Sequence, residues 1–220
     1  MARIDLQEAV AILAPLYPPA EPLRDPLAML IWENIGYLID DDRRAVLFAE
    51  FEQRVGINAR AILDAPGEVL LDIAARGGMN PLQRVERWRH IGELAGPDLA
   101  TTLRGLPVAK ARSLLKKFSV IGDPSADKIL LFADIAPLPS VESNGLRALI
   151  RLGYIAEQSH YGQTYKAAVA VLAAQHRDAD WLKSVWLILR DHGRTLCKRT
   201  APLCTACPLD AVCDHAVLHD

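Results

Sequence analysis

The sequence predicts an all-helical protein. Leucine, isoleucine and alanine recur at three- and four-residue steps through nearly all of the 220 residues, strand-like alternation is scarce, and glycine and proline clusters fall at helix-length intervals. One stretch stands apart from these amphipathic segments: all four cysteines lie near the C-terminus, as Cys197-x6-Cys204-x2-Cys207-x5-Cys213. A hydrophobic content of 51% suffices for one substantial core or two small ones, so the chain is not a disordered tail.

The first helix, Leu6 to Leu13, ends before Pro15. The run Tyr17-Pro18-Pro19-Ala20-Glu21-Pro22 is a connector, because proline cannot sustain the helical hydrogen-bond ladder. Asp25 and Pro26 open the second helix as cap and first-turn residue. That helix is expected over residues 27–39, with Leu27, Leu30, Ile31 and Leu38 packed inward and Glu33 a lone carboxylate beside the buried face or on its rim. Burial there would raise the Glu33 pKa and let it hold a proton near neutrality, as a general acid requires. Pairing with a nearby arginine is the structural alternative.

Helices follow over residues 43–55, 58–65, 67–75 and 82–95, the last after the break Gly77-Gly78-Met79-Asn80-Pro81. From Leu99 to Ile121 there is no acidic residue, while Arg104, Lys110, Arg112, Lys116 and Lys117 are basic; from Lys183 to Leu209 five basic residues face only Asp191. The net charge of −2 gives no support for nucleic-acid binding, but two basic segments can form a phosphate-binding face or simply solvated helix surfaces. Asp123 and Pro124 read as N-cap and first residue of a helix continuing to about residue 133. Beyond Pro137-Leu138-Pro139, Glu142 lies at another helix start; as glutamate is a poor cap, Ser143 or Asn144 is expected to cap instead. Helices over 164–174 and 181–190 deliver the chain to the cysteines.

Four thiolates in one compact loop point to a metal. Structural zinc sites usually split into two short Cys-x2-4-Cys knuckles, and this loop has only one; its wider, uneven spans suit the corners of a [4Fe-4S] cluster better. Zinc and a pair of disulfides remain the alternatives. No apolar run follows the N-terminus as in a signal peptide or membrane span, so a cytoplasmic protein with reduced thiols is expected. His215 and His219, four apart with no carboxylate partner, read as solvent-exposed.

The cysteine spacing, with Trp186-Leu187-Ile188-Leu189 and His192-Gly193-Arg194 leading into it, resembles the cluster loop of the endonuclease III-like family of helix-hairpin-helix DNA glycosylases. The resemblance extends backwards over most of the chain. It implies a two-domain all-α fold: a helical barrel domain over residues 26–133, with the helix-hairpin-helix at about 110–132, and an iron-sulfur cluster domain from residues 1–25 plus 134–220. It implies Cys197, Cys204, Cys207 and Cys213 as ligands of a [4Fe-4S] cluster, and Lys198 and Arg199 as phosphate contacts on the pinned loop. Lys116, Lys117, Ile121 and Gly122 fall in the hairpin, where a turn and a helix N-terminus would receive a DNA phosphate. Leu38, or its neighbour Tyr37, stands where many members place a glutamine that fills the gap left by a flipped base; an apolar wedge could do this by stacking.

The same resemblance bears on chemistry. Glu33 falls where the adenine glycosylase branch has its catalytic glutamate, and Glu142 takes the place of the aspartate that acts on the sugar. The chain departs from the family at three positions: Val120 replaces the first hairpin glycine, Asp123 adds a negative charge near the phosphate site, and Pro124 replaces the lysine nucleophile of bifunctional members. Lys128, one helical turn on, is a candidate substitute. The expected function is a monofunctional DNA glycosylase, a monomer acting on double-stranded DNA with a lesion or mismatch. The alternatives are a non-catalytic lesion-binding protein of the same fold and an electron carrier.

Overall fold

A computed structural model describes residues 4–18 and 21–219, so Pro19 and Ala20 of the expected connector and the first three residues lie outside it. The described residues are all-helical, without a strand, and form two compact units: Leu23–Ile135, and Met1–Pro22 with Ala136–Asp220. Among the described residues no helix is long and apolar enough to cross a membrane.

The internal unit contains α2 (Pro26–Asn34), α3 (Asp41–Arg54), α4 (Ala59–Asp64), α5 (Gly67–Arg76), α6 (Pro81–Ala95), α7 (Leu99–Arg104), α8 (Val108–Leu115) and α9 (Asp123–Phe132), while α1 (Leu6–Leu13) belongs to the other unit. Side chains cap where the sequence offers them: Asp25, Asp40, Asn58 and Asp98 each accept from an amide of the first turn. The core centres on Trp88 and Phe51, both fully buried and edge-on at 4.8 Å between ring centroids.

The second helix is shorter than expected. It stops at Asn34 because the chain turns aside: the Tyr37 amide donates to the Gly77 carbonyl at 2.9 Å, and Leu38 takes a left-handed φ of 55°. Leu38 therefore leaves the core it was expected to join and is 80% exposed, whereas Leu27, Leu30 and Ile31 are buried. The 36–38 and 77–78 strips approach so closely that a Cβ on Gly78 would lie 2.4 Å from the Tyr37 carbonyl oxygen. Buried Arg84 braces this edge, donating to Ala74 O at 2.6 Å and Met79 O at 2.9 Å.

The terminal unit packs α10 (Ser143–Arg151), α11 (Tyr161–Ala173), α12 (Ala179–Thr195) and α13 (Asp214–His219) with α1, and α10 against α12 is its most extensive helix contact. Helix α12 runs five residues past the expected end at Arg190, so it feeds the cysteine loop directly. The contact is close because Gly193 faces the first turn of α10: a Cβ there would lie 2.4 Å from the Asn144 carbonyl oxygen and 2.6 Å from its carbon. Gly193→Ala should therefore destabilise the protein by about 2–3 kcal/mol, the cost of overpacking a rigid backbone contact. Urea unfolding beside Gly162→Ala, where a Cβ meets nothing within 4 Å, checks this; equal midpoints would refute it.

Candidate catalytic and cluster site

In the terminal unit the site is built on the start of α10. Glu142 itself is the cap, correcting the expectation that Ser143 or Asn144 would cap: its Oε1 accepts from the Gly145 amide at 2.8 Å. Its Oε2 accepts from Asn144 Nδ2 at 2.9 Å, and its side chain is half-buried. The chain of bonds continues. Arg147 Nη2 donates to Asn144 Oδ1 at 2.8 Å and to Gly193 O at 2.6 Å, while its Nε donates to Cys197 O at 2.9 Å. Arg151, one turn further, donates to Lys198 O at 2.7 Å, Arg199 O at 3.2 Å and Cys197 Sγ at 3.4 Å. The carboxylate and the cysteine loop thus share one hydrogen-bonded frame. Sequence reasoning gave Asn144 only a cap's role and missed Arg147 and Arg151; the three- and four-residue spacing of these side chains on one helix face was the available signal.

All four cysteines are free and line one cavity of about 350 Å³, counting its open mouth, together with Arg151, His192 and His215. His215 is half-buried in this lining, not solvent-exposed as expected, and the His219 side chain lies outside the described residues. Among the described residues no three His, Cys, Asp or Glu side chains converge on a single-ion site. Four soft thiol donors lining one cavity are the donor set that zinc or an iron-sulfur cluster takes. The disulfide alternative is not realised. Burial pushes the Cys197 and Cys207 thiols up, and Arg151 partly offsets this at Cys197. Buried His192, held by Tyr17 Oη at 3.2 Å from Nδ1, has its pKa lowered to about 4 by burial. Lys198 and Arg199 are exposed on the loop.

In the internal unit Glu33 is half-buried and ion-paired with Lys128 of α9, the side chains being 27% and 11% exposed. The expected upward shift of its pKa is reversed. Burial alone would raise it, but the Lys128 charge and hydrogen bond, with smaller contributions from Arg44 and Ser125, hold the carboxyl below the usual range. The partner is thus a lysine and not the arginine considered from sequence; Arg44 lies nearby, with its guanidinium 5.9 Å from the Trp32 ring centroid.

The hairpin between α8 and α9 differs from expectation at its cap. Gly122 is the N-cap, Asp123 the first helical residue and Pro124 the next. Asp123 pairs with Lys116 at 2.7 Å and with Arg112 at 3.4 Å; Arg112 also forks onto buried Asp127, with Nη2 2.9 Å from Oδ2. Two of the basic residues expected to meet phosphates are therefore engaged with acids. The Ile121 side chain is buried and its amide donates to Phe118 O at 3.3 Å, so neither presents a free contact; Lys117 and Gly122 are exposed. A second set of apolar residues escaped the sequence reading: beside Tyr37 and Leu38, Met79 and Leu82 are 63% and 68% exposed.

The fold is that of solved endonuclease III-like structures. An endonuclease III trapped as a covalent DNA intermediate superposes with a TM-score of 0.75 at 16% identity, over 97% of this chain and 96% of the other. A thermostable thymine-DNA glycosylase gives 0.74 at 16% identity, over 96% and 94%. In sequence, a thymine-DNA glycosylase of Aeropyrum pernix is 30% identical over 129 residues, a match spanning 58% of this chain and 57% of that relative's length. No family model matches the sequence.

Val120 holds a left-handed φ of 62° in the hairpin and is 53% exposed, so its branched side chain has little packing to offset the strain. Left-handed backbone costs an L-residue about 1–2 kcal/mol, and glycine's extra unfolded-state entropy returns about 0.5–1. Val120→Gly should thus raise stability by about 0.5–1 kcal/mol, read as a higher urea midpoint; a lower midpoint would refute this assignment.

Proposed function

We propose that this chain is a monofunctional DNA glycosylase of base-excision repair, which flips a damaged or mismatched base from duplex DNA and hydrolyses its glycosidic bond. The observation that carries this reading is the fixing of Glu142, by the Gly145 amide and Asn144, within the frame that also holds the cysteine loop. Rupture of an N-glycosidic bond develops positive charge on the sugar, and a pre-positioned carboxylate stabilises that charge without reorganising. It can also accept a proton from the attacking water. Pro124 in place of an amine nucleophile leaves an intact abasic site as product. The two units are then the two glycosylase domains. Lys117, Lys198 and Arg199 are exposed cations for backbone phosphates, and Leu38, with Tyr37, is the wedge for the emptied stack.

In this reading Cys197, Cys204, Cys207 and Cys213 hold a [4Fe-4S] cluster, whose contribution is to pin the loop bearing Lys198 and Arg199. Protein purified without chelator should contain about four irons per chain. Serine at any one of the four positions should lower the iron content; zinc in place of iron would overturn the cluster assignment.

The catalytic reading is tested by single-turnover reactions on duplexes carrying uracil, thymine mismatches, oxidised purines, oxidised pyrimidines or alkylated bases. Strand breaks should appear only after alkali, and Glu142→Gln should slow base release by about 10²–10³-fold. Lesion binding without release from any duplex would favour the non-catalytic alternative.

A further inference from the structure

The contact between α2 and α9 carries an inference that rests on the glycosylase reading and deepens it. We propose that Lys128 is the proton donor to the departing base, with Glu33 as the carboxylate that holds it. Glu33 and Lys128 are 95 positions apart in sequence and meet through a charge-assisted hydrogen bond. Both keep part of their side chains open, 27% and 11%, so the pair is sheltered without being sealed. Beside them lie the half-buried ring of Trp32 and the guanidinium of Arg44, which donates to Trp32 O at 3.1 Å.

The departing base requires an acid. As the N-glycosidic bond breaks, its electron pair passes to the base nitrogen, and a proton supplied there lets the base leave neutral. With its cation neighbours favouring the charged form, Glu33 is a poor carrier of that proton, whereas the ammonium of Lys128 holds one on the same hydrogen bond. Lys128 Nζ gives up the proton and solvent returns one; the water that replaces the base at C1′ releases its own proton, so the exchange balances. Nζ engaged in this way is an acid and not the free amine that attack on a sugar carbon requires. The lysine thus does not replace the nucleophile missing at Pro124.

The test compares, for the base class that the parent releases, two leaving groups of different acidity: uracil with 5-fluorouracil, or adenine with hypoxanthine, in otherwise identical duplexes. Lys128→Met should slow release of the poorer leaving group by about 10²–10³-fold, and that of the better one at least about fivefold less, since a better leaving group needs less protonation. Lys128→Arg keeps a cation for Glu33 and serves as the folding control, but its guanidinium holds its protons too firmly to act as an acid. It should melt and bind lesion duplex like the parent and still be slow. Equal losses for both leaving groups, or full activity of Lys128→Arg, would overturn the proposal and leave the glycosylase reading standing. Borohydride trapping of the parent but not of Lys128→Met would also overturn it, by making Lys128 the nucleophile. A parent that releases no base from any duplex would overturn both readings.

Discussion

Helix α12 can lie as close to α10 as it does only where it carries no side chain. At Gly193 even a methyl group would enter the van der Waals shell of the Asn144 backbone, and at Gly145 a Cβ would lie 2.7 Å from a Val141 methyl carbon and 3.2 Å from Leu189 Cβ. The consequence is electrostatic as much as steric. With the helices this near, the Arg147 guanidinium reaches the Gly193 and Cys197 carbonyls and still donates to Asn144, which in turn holds Glu142. Carbonyls left open at the end of α12 thereby find donors from a neighbouring helix, as a buried helix end requires. A bulkier residue at 193 would part these groups before it disturbed the apolar core.

Within the internal unit a comparable role falls to an ion pair. Glu33 lies on a helix whose other side chains are apolar or neutral, so desolvation opposes its charge, and the Lys128 ammonium is the strongest of the neighbours that offset it. Removing one partner of such a pair usually costs more than the pair contributes, because the remaining charge is left desolvated. That asymmetry ties α2 to α9 chemically as well as by packing. Asn34 Nδ2 reinforces the connection with a longer bond, 3.3 Å, to the Ser119 carbonyl of the hairpin.

Much of this architecture was legible in the sequence because it is local. Helix periodicity, the Asp25 cap and the cysteine spacing each depend on residues within a few positions of one another. What escaped reading depends on distant partners. The Glu33 carboxyl was expected to shift upward because burial could be inferred from its own helix, while the reversing cation comes from 95 positions away. Leu38 was placed inside because an uninterrupted helix would put it there; the Gly77 carbonyl, which captures the Tyr37 amide and ends the helix early, belongs to a different break in the chain. Glu142 shows the opposite failure. A general preference against glutamate caps was overridden by the particular geometry that brings Oε1 to the Gly145 amide.

The hairpin shows how one substitution changes the meaning of its neighbours. An acid in the first turn of a helix complements the backbone dipole and is worth about 0.3–1 kcal/mol to that helix, so Asp123 stabilises α9 where it stands. The same position is where a helix end would attract a phosphate, and there the carboxylate already collects Lys116 and, at longer range, Arg112. An incoming phosphate must therefore compete with an internal anion for those cations. With Val120 holding the turn in a backbone form better suited to glycine, this hairpin gains internal pairing at the expense of an open anion site. On the glycosylase proposal, attachment to DNA falls more heavily on cations not committed to the hairpin, of which Lys198 and Arg199 stand exposed on a loop whose carbonyls are tied down by Arg147 and Arg151.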